Sequence, residues 1–191
     1  MKNISILSVL VITTLLFADD NTDKTNIYAG VRRCKVCHEA EDMGNQYTVW
    51  EHSKHAIAYH TLLTEESAEI AKSWGLSLPA NEAPECLKCH VTGYNNEKAE
   101  FGKKFNKEDG IQCESCHGAG DDYRKVEIMC DRELSIAAGL ILPKPEDCLT
   151  CHNEESPKYK TFTYETYYAK MIHKKNPDYN CVSEEEEDED W

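Results

Sequence analysis

Cys34-Lys35-Val36-Cys37-His38 is one of four pentapeptides in this 191-residue chain that share the pattern C-x-x-C-H. The other three occupy residues 86–90, 113–117 and 148–152. Two thiols at this spacing can add to the two vinyl groups of one porphyrin, and the adjacent His then ligates the iron. Four copies predict four covalently bound c-type haems. The cysteines expected to attach them are Cys34, Cys37, Cys86, Cys89, Cys113, Cys116, Cys148 and Cys151, and the expected proximal ligands are His38, His90, His117 and His152.

Other uses of paired cysteines explain this pattern less well. A zinc ribbon needs two C-x-x-C pairs for each metal and does not require a His after every second Cys. A thioredoxin-like redox motif occurs once, near a βαβ pattern, and no such pattern is visible. A secreted disulfide framework would use irregular spacings. Two cysteines lie outside the motifs, Cys130 and Cys181, and the sequence leaves open whether they pair.

The N-terminus predicts export. Residues 1–18 contain Lys2, then an apolar run from Ile4 to Phe17, then Ala18 as a cleavage point, which resembles a secretory signal peptide. A periplasmic location follows, because c-type haem is attached outside the cytoplasm. A membrane association is expected only where this segment stays uncleaved.

The mature chain is short for so many cofactors. Residues 19–180 are expected to form one tetrahaem domain, which leaves about 40 residues for each haem. The haems themselves must therefore be the core, stacked and wrapped by chain. No sustained β alternation appears. The expected fold is mainly α with extensive irregular loops, a multihaem cytochrome c built around four stacked covalent haems.

Periodicity and capping residues predict several helices. The first spans 46–63, and Thr64 caps a second that ends near Ser73. Asp131 caps a third that runs to about residue 138, and a last helix spans 164–174. Residues 92–110 are either a hairpin or a loop.

Four histidines remain as candidates for the distal side of the irons: His52, His55, His60 and His173. On a helix over 46–63, His52 and His55 would share a face, and His60 would point elsewhere. We expect His55 and His173 to be distal ligands. The roles of His52, His60 and Met129 stay open.

The charge of the chain restricts its partners. The formal net charge is −14, and seven of the negative charges fall in residues 184–190. A strongly acidic chain disfavours nucleic-acid binding. Residues 181–191 are expected to be an acidic disordered tail.

The motif order resembles the cytochrome c-554 family. The resemblance rests on Trp50 with His55-Ala56, on the motifs with their following glycines over 86–93 and 113–120, on residues 148–153 and on His173. It implies a helical fold with closely packed haem pairs, mostly bis-His irons, distal roles for His55 and His173, and a five-coordinate iron on His90. The family has a further His shortly after the third motif. This chain has Tyr123, Arg124 and Met129 there instead, which leaves the sixth ligand of one haem unassigned.

These features predict an electron carrier rather than an enzyme, one that transfers electrons between redox partner proteins in a respiratory chain. The alternative is a small-molecule redox enzyme or sensor acting on nitric oxide, hydroxylamine or nitrite. That function would use one five-coordinate haem, since an open iron can bind a small molecule.

Overall fold

A computed structural model describes residues 27–181. The predicted signal peptide and all but the first residue of the predicted acidic tail lie outside this range, and nothing tests those boundaries. Within residues 27–181, no helix is both long and apolar enough to cross a membrane.

The described chain consists of short helices joined by long irregular segments, which confirms the mainly α expectation with extensive loops. The helices are α1 (Val31–His38), α2 (Gln46–Glu51), α3 (Ala58–Thr61), α4 (Glu65–Ser73), α5 (Pro84–His90), α6 (Glu114–His117), α7 (Val126–Met129), α8 (Arg132–Ala137), α9 (Pro145–Cys148) and α10 (Tyr164–Met171), with a 3₁₀ helix at Lys107–Asp109. Two strands, β1 (Ile27–Tyr28) and β2 (Glu100–Phe101), pair in parallel. The segment 92–110 is therefore mainly loop, and its strand residues pair with β1.

Two predicted helix starts are confirmed by their caps. The Thr64 hydroxyl accepts a hydrogen bond from the Ser67 backbone N–H at 3.3 Å, at the start of α4. The Asp131 carboxylate accepts bonds from the N–H groups of Glu133 and Leu134 at the start of α8. Each cap satisfies N–H groups that the first helical turn leaves unpaired.

The prediction of one helix over 46–63 was wrong, because residues 52–57 are not helical and separate α2 from α3. The Ser53 hydroxyl accepts hydrogen bonds from the N–H groups of His55 and Ala56, which replaces the helical pattern with a local turn. The carbonyl of His55 accepts instead from Ile111. His52, His55 and His60 therefore do not share one helix.

The last helix is also shorter than predicted. It ends at Met171, and Ile172 is extended, so His173 lies beyond the helix rather than on it. The following residues bond to a distant loop instead: the N–H of Asn176 donates to the carbonyl of Met43. This contact over a long stretch of chain outweighs the local helical preference.

The side-chain core is small. One cluster of buried residues lies between α3, α4 and α5 and comprises Tyr59, Leu62, Ala71, Ala80, Leu87 and Val91. The indole N–H of Trp50 donates to the carbonyl of Ile111 at 2.7 Å and ties α2 to the segment before the third motif. Apart from these contacts, much apolar surface of the described residues faces outward.

Candidate haem-binding site

All four C-x-x-C-H motifs lie in or directly beside short helices. The first lies in α1, the second in α5, the third begins at the cap of α6, and the fourth begins at the last residue of α9. On a helix, residues three positions apart project from nearly the same face. The two thiols of the first motif and those of the second are thereby presented together, with the histidine immediately after them.

Three of the four motif histidines hold a hydrogen-bond acceptor at Nδ1. The acceptors are Gln46 Oε1 for His38 at 3.2 Å, the Ala58 carbonyl for His90 at 2.7 Å, and the Ile141 carbonyl for His117 at 3.1 Å. A carbonyl can only accept, so the proton must reside on Nδ1 of these rings. In the neutral form of such a ring, the lone pair that a metal ligand requires is on Nε2.

The fourth motif histidine is held differently. The ring of His152 stacks on Phe162 with centres 4.6 Å apart and planes inclined by 17°, and Phe162 stacks in turn on Tyr167 at 5.0 Å. These rings belong to a cavity of about 180 Å³ that Cys151, Lys158 and Lys160 also line. Stacking fixes the ring plane of His152.

Each histidine that was expected to be distal lies against a motif histidine. The rings of His55 and His152 have centres 6.0 Å apart, and those of His117 and His173 have centres 5.9 Å apart. An iron held between two imidazoles separates the ring centres by about 6 Å, since each metal–nitrogen bond is about 2 Å and each nitrogen lies about 1 Å from its ring centre. Burial lowers the pKa of His55, His117 and His152, which favours the neutral form that binds metal.

The other candidates occupy less enclosed positions. His52 is exposed, and its Nδ1 lies 2.8 Å from the carbonyl of Thr48. His60 is also exposed and meets the Tyr59 ring edge-on. Met129 is the half-buried last residue of α7. Tyr123 is buried and donates its hydroxyl proton to the carbonyl of Gly118.

The thiols of different motifs approach each other in pairs. A hydrogen bond between Cys34 and Cys113 raises the pKa of Cys34 and lowers that of Cys113. A second bond, from Cys151 to Cys89, lowers the pKa of Cys89 to about 7. The first motif therefore lies beside the third, and the second beside the fourth. The ion pair between Lys88 and Glu155 at 2.5 Å adds to the second pairing.

The third and fourth motifs are also neighbours. Burial raises the pKa of Cys116 to about 11, and the nearby thiol of Cys148 contributes to the shift. The order of the motifs in space is accordingly first, third, fourth, second, which differs from their order along the chain.

Glu114, inside the third motif, joins the first and third motifs and was not identified from the sequence. Its side chain is 2% exposed, and it accepts hydrogen bonds from the N–H groups of Ala29, Gly30 and Gly120 at 2.7, 2.8 and 2.7 Å. Burial raises the pKa of Glu114, and the three N–H donors partly oppose that shift. The only sequence signal was a charged residue between two cysteines.

Gln112 also connects the first and third motifs through hydrogen bonds. Its Oε1 accepts from the N–H of Val31 at 2.7 Å, and its Nε2 donates to the carbonyl of Asn106 at 3.0 Å. Val31 is the first residue of α1, so this bond and the Glu114 bonds fix the start of the helix that carries the first motif.

The apolar surroundings of the motifs fit a large planar cofactor. Val36 inside the first motif is 73% exposed, Leu149 inside the fourth is 50% exposed, and Ile141 beside His117 is 51% exposed. Each of these exposed apolar side chains lies within a motif or beside a motif histidine, where a porphyrin face could cover it. With paired thiols and neutral imidazoles beside them, these residues provide the donors and the apolar faces that a porphyrin requires.

The two cysteines outside the motifs are joined. Cys130, the residue after α7, forms a disulfide with Cys181 across 51 residues of sequence, with Cα atoms 5.4 Å apart. The loop that this bond closes contains the fourth motif and His173.

Comparisons with known proteins agree with the resemblance inferred from the motifs. Residues 33–118, which hold the first three motifs, match the family described as "Cytochrome c554 and c-prime". The chain is also 29% identical over 102 residues to "Cytochrome c-554" of Nitrosomonas europaea, an alignment that covers 51% of this chain and 40% of that relative. The chain therefore spans less than half the length of that relative. No solved structure matches the chain significantly. Residues 33–118 are therefore similar to the cytochrome c554 and c-prime family, which supports the resemblance drawn from the motifs.

Proposed function

We propose that this protein is a periplasmic tetrahaem c-type cytochrome that transfers electrons between redox partner proteins in a respiratory chain. The observation that carries the proposal is the pairing of His55 with His152 and of His117 with His173 at the separation that a bis-imidazole iron requires. Haem iron supplies one-electron chemistry when bound, and two fixed axial ligands suit electron transfer rather than substrate binding. The relative from Nitrosomonas europaea is itself named a cytochrome.

The residues of the chain divide this work between attachment and ligation. The eight motif cysteines would hold the porphyrins, and His38, His90, His117 and His152 would be the proximal ligands. His55 and His173 would be the distal ligands of the fourth and third irons. The thiol contacts support an order of neighbouring centres that runs first, third, fourth, second.

A haem count tests the proposal most directly. We expect the exported protein to carry four haems per chain by mass spectrometry and pyridine haemochrome assay. Replacing Cys148 and Cys151 with serine should leave three, because the fourth motif then has no thiols to attach a porphyrin. The matched control replaces Cys130 and Cys181 with serine and should retain four. A wild-type count below four would contradict the tetrahaem proposal.

The distal assignment gives a second prediction. Replacing His55 or His173 with alanine should convert about one haem in four from low-spin to high-spin, since one iron loses its sixth ligand. Electron paramagnetic resonance and the optical spectrum of the oxidised protein measure this change, and added imidazole should reverse it. His52→Ala is the control and should change neither spectrum, because that ring is exposed and bonds to Thr48. Spectra of H55A and H173A that match the wild type would refute the assignment.

A second candidate function is small-molecule redox chemistry or sensing at an open iron. Within residues 27–181, the rings of His38 and His90 have no second histidine ring against them, unlike His117 and His152. Substoichiometric binding of cyanide or nitric oxide to the purified protein, with turnover of nitrite or hydroxylamine, would favour this function. A fully low-spin spectrum that neither ligand alters would exclude it.

A further inference from the structure

The loop between α1 and α2 holds the chain segment that follows α10. The carbonyl of Met43 accepts from the N–H of Asn176 at 3.2 Å, and the carbonyl of Asp42 accepts from the Asn176 side chain at 2.8 Å. Gly44 packs so closely on this segment that an added Cβ would lie 2.1 Å from the carbonyl oxygen of Lys174. Gly44 also has a φ of +110°, so both its backbone and its surroundings exclude a side chain.

Gln46, the first residue of α2, contacts both the α1–α2 loop and the segment after α10. Its Nε2 donates to the carbonyls of Met43 at 2.7 Å and Lys174 at 3.2 Å, and its Oε1 faces Nδ1 of His38 at 3.2 Å. Because both carbonyls can only accept, the NH₂ group must point at them. Oε1 then necessarily faces His38, whose Nδ1 must be the donor.

We propose that Gln46 is a positioning residue that couples the iron ligand of the first motif to the distal iron ligand of the third. Its Oε1 orients His38, and its Nε2 holds the carbonyl of Lys174, the residue adjacent to His173. His173 in turn lies against His117 of the third motif. This inference rests on the proposed function, because it requires that His38 and His173 ligate iron.

The two halves of the amide have different effects. A hydrogen bond at Nδ1 makes an imidazole a stronger donor to its metal and fixes the ring orientation. We therefore expect the bond from His38 to Gln46 to stabilise the oxidised state of the first haem. The bond to Lys174 instead restricts the backbone that carries His173, and so favours ligation of the third iron.

Three variants of the haem-loaded protein separate these effects. Gln46→Met removes both the Oε1 acceptor and the Nε2 donor of the amide and changes the shape of the side chain little. Gln46→Glu keeps an acceptor toward His38 but places a carboxylate oxygen against the carbonyls of Met43 and Lys174. Asn176→Ala, the matched control, releases the carbonyl of Asp42 and leaves the bond between His38 and Gln46 in place. A Cys34→Ser/Cys37→Ser protein identifies the signal of the first haem by its loss.

Spectroelectrochemistry and electron paramagnetic resonance give the readouts. In Gln46→Met, the oxidised-to-reduced ratio of the first haem at a fixed potential should fall by about 3-fold to 10-fold, the size expected for one hydrogen bond. The high-spin fraction of the third haem should rise in this variant and should fall again when imidazole is added. Gln46→Glu and Asn176→Ala should raise the high-spin fraction of the third haem. Neither variant should lower the oxidised-to-reduced ratio of the first haem.

Other outcomes would overturn the coupling. A Gln46→Met protein that loses stability while the first-haem potential and the spin state stay unchanged would show a merely structural role. A change of potential in Asn176→Ala equal to that in Gln46→Met would also refute it. Failure of the proposed function is recognised separately, because the wild-type protein would then carry fewer than four haems or a high-spin third iron from the start.

Discussion

Replacing Glu114 with alanine should lower the free energy of unfolding by about 3 kcal/mol or more. The substitution removes the acceptor of three backbone N–H groups, on Ala29, Gly30 and Gly120, and leaves them without a partner. Each buried donor without a partner costs about 1–3 kcal/mol. Guanidinium unfolding of the haem-loaded protein, followed by circular dichroism, measures the difference.

Two variants bracket this result. Glu114→Gln keeps one acceptor oxygen and should fall between the wild type and E114A. Glu39→Ala removes an exposed carboxylate whose partner is Lys35, an (i, i+4) pair that contributes at most about 0.5 kcal/mol. If the guanidinium midpoint of unfolding were the same for E114A as for E39A, the buried carboxylate would not hold the first and third motifs together.

Removing the disulfide should have an effect of comparable size. The bond between Cys130 and Cys181 closes a loop across 51 residues, for which the chain-entropy relation gives a stabilisation of about 4 kcal/mol. Cys130→Ser/Cys181→Ser should therefore unfold at a lower guanidinium concentration than the wild type. The stabilisation acts mainly on the unfolded chain, so the spectrum of the folded haems should not change.

Chemical reduction provides an independent check on the same bond. Dithiothreitol should shift the wild-type unfolding curve toward that of the double serine variant and leave the variant itself unmoved. Superimposable curves for the oxidised wild type and the variant would contradict the prediction.

Features determined by a few neighbouring residues could be predicted from the sequence. Thr64 and Asp131 cap α4 and α8 as expected, because a cap involves only the next three residues. Periodicity alone predicts a single helix over 46–63. The structure breaks this helix because the Ser53 turn competes with it locally and Ile111 bonds to His55 from a distant segment. The end of α10 likewise depends on contacts with residues near Met43.

Some residues of the candidate site could be recognised from the sequence and others could not. The motif cysteines and histidines are recognisable because porphyrin attachment dictates their spacing. Gln46 and Glu114 are not, because their partners lie far along the chain: Lys174 is 128 residues from Gln46, and Ala29 is 85 residues from Glu114. A glutamine at the start of a helix and a glutamate between two cysteines carry no local sign of these bonds.

The interleaved placement of the motifs has a consequence for how the protein matures. In the proposed exported protein, residues 34–38 would leave the membrane long before their spatial neighbours at 113–117, and the same holds for 86–90 and 148–152. Each attachment site would therefore stand alone on extended chain while its porphyrin is joined, without obstruction from a second porphyrin. The molecule would become compact only after the last motif has received its porphyrin. Maturation would therefore be a series of separate attachments followed by one cooperative collapse of the chain.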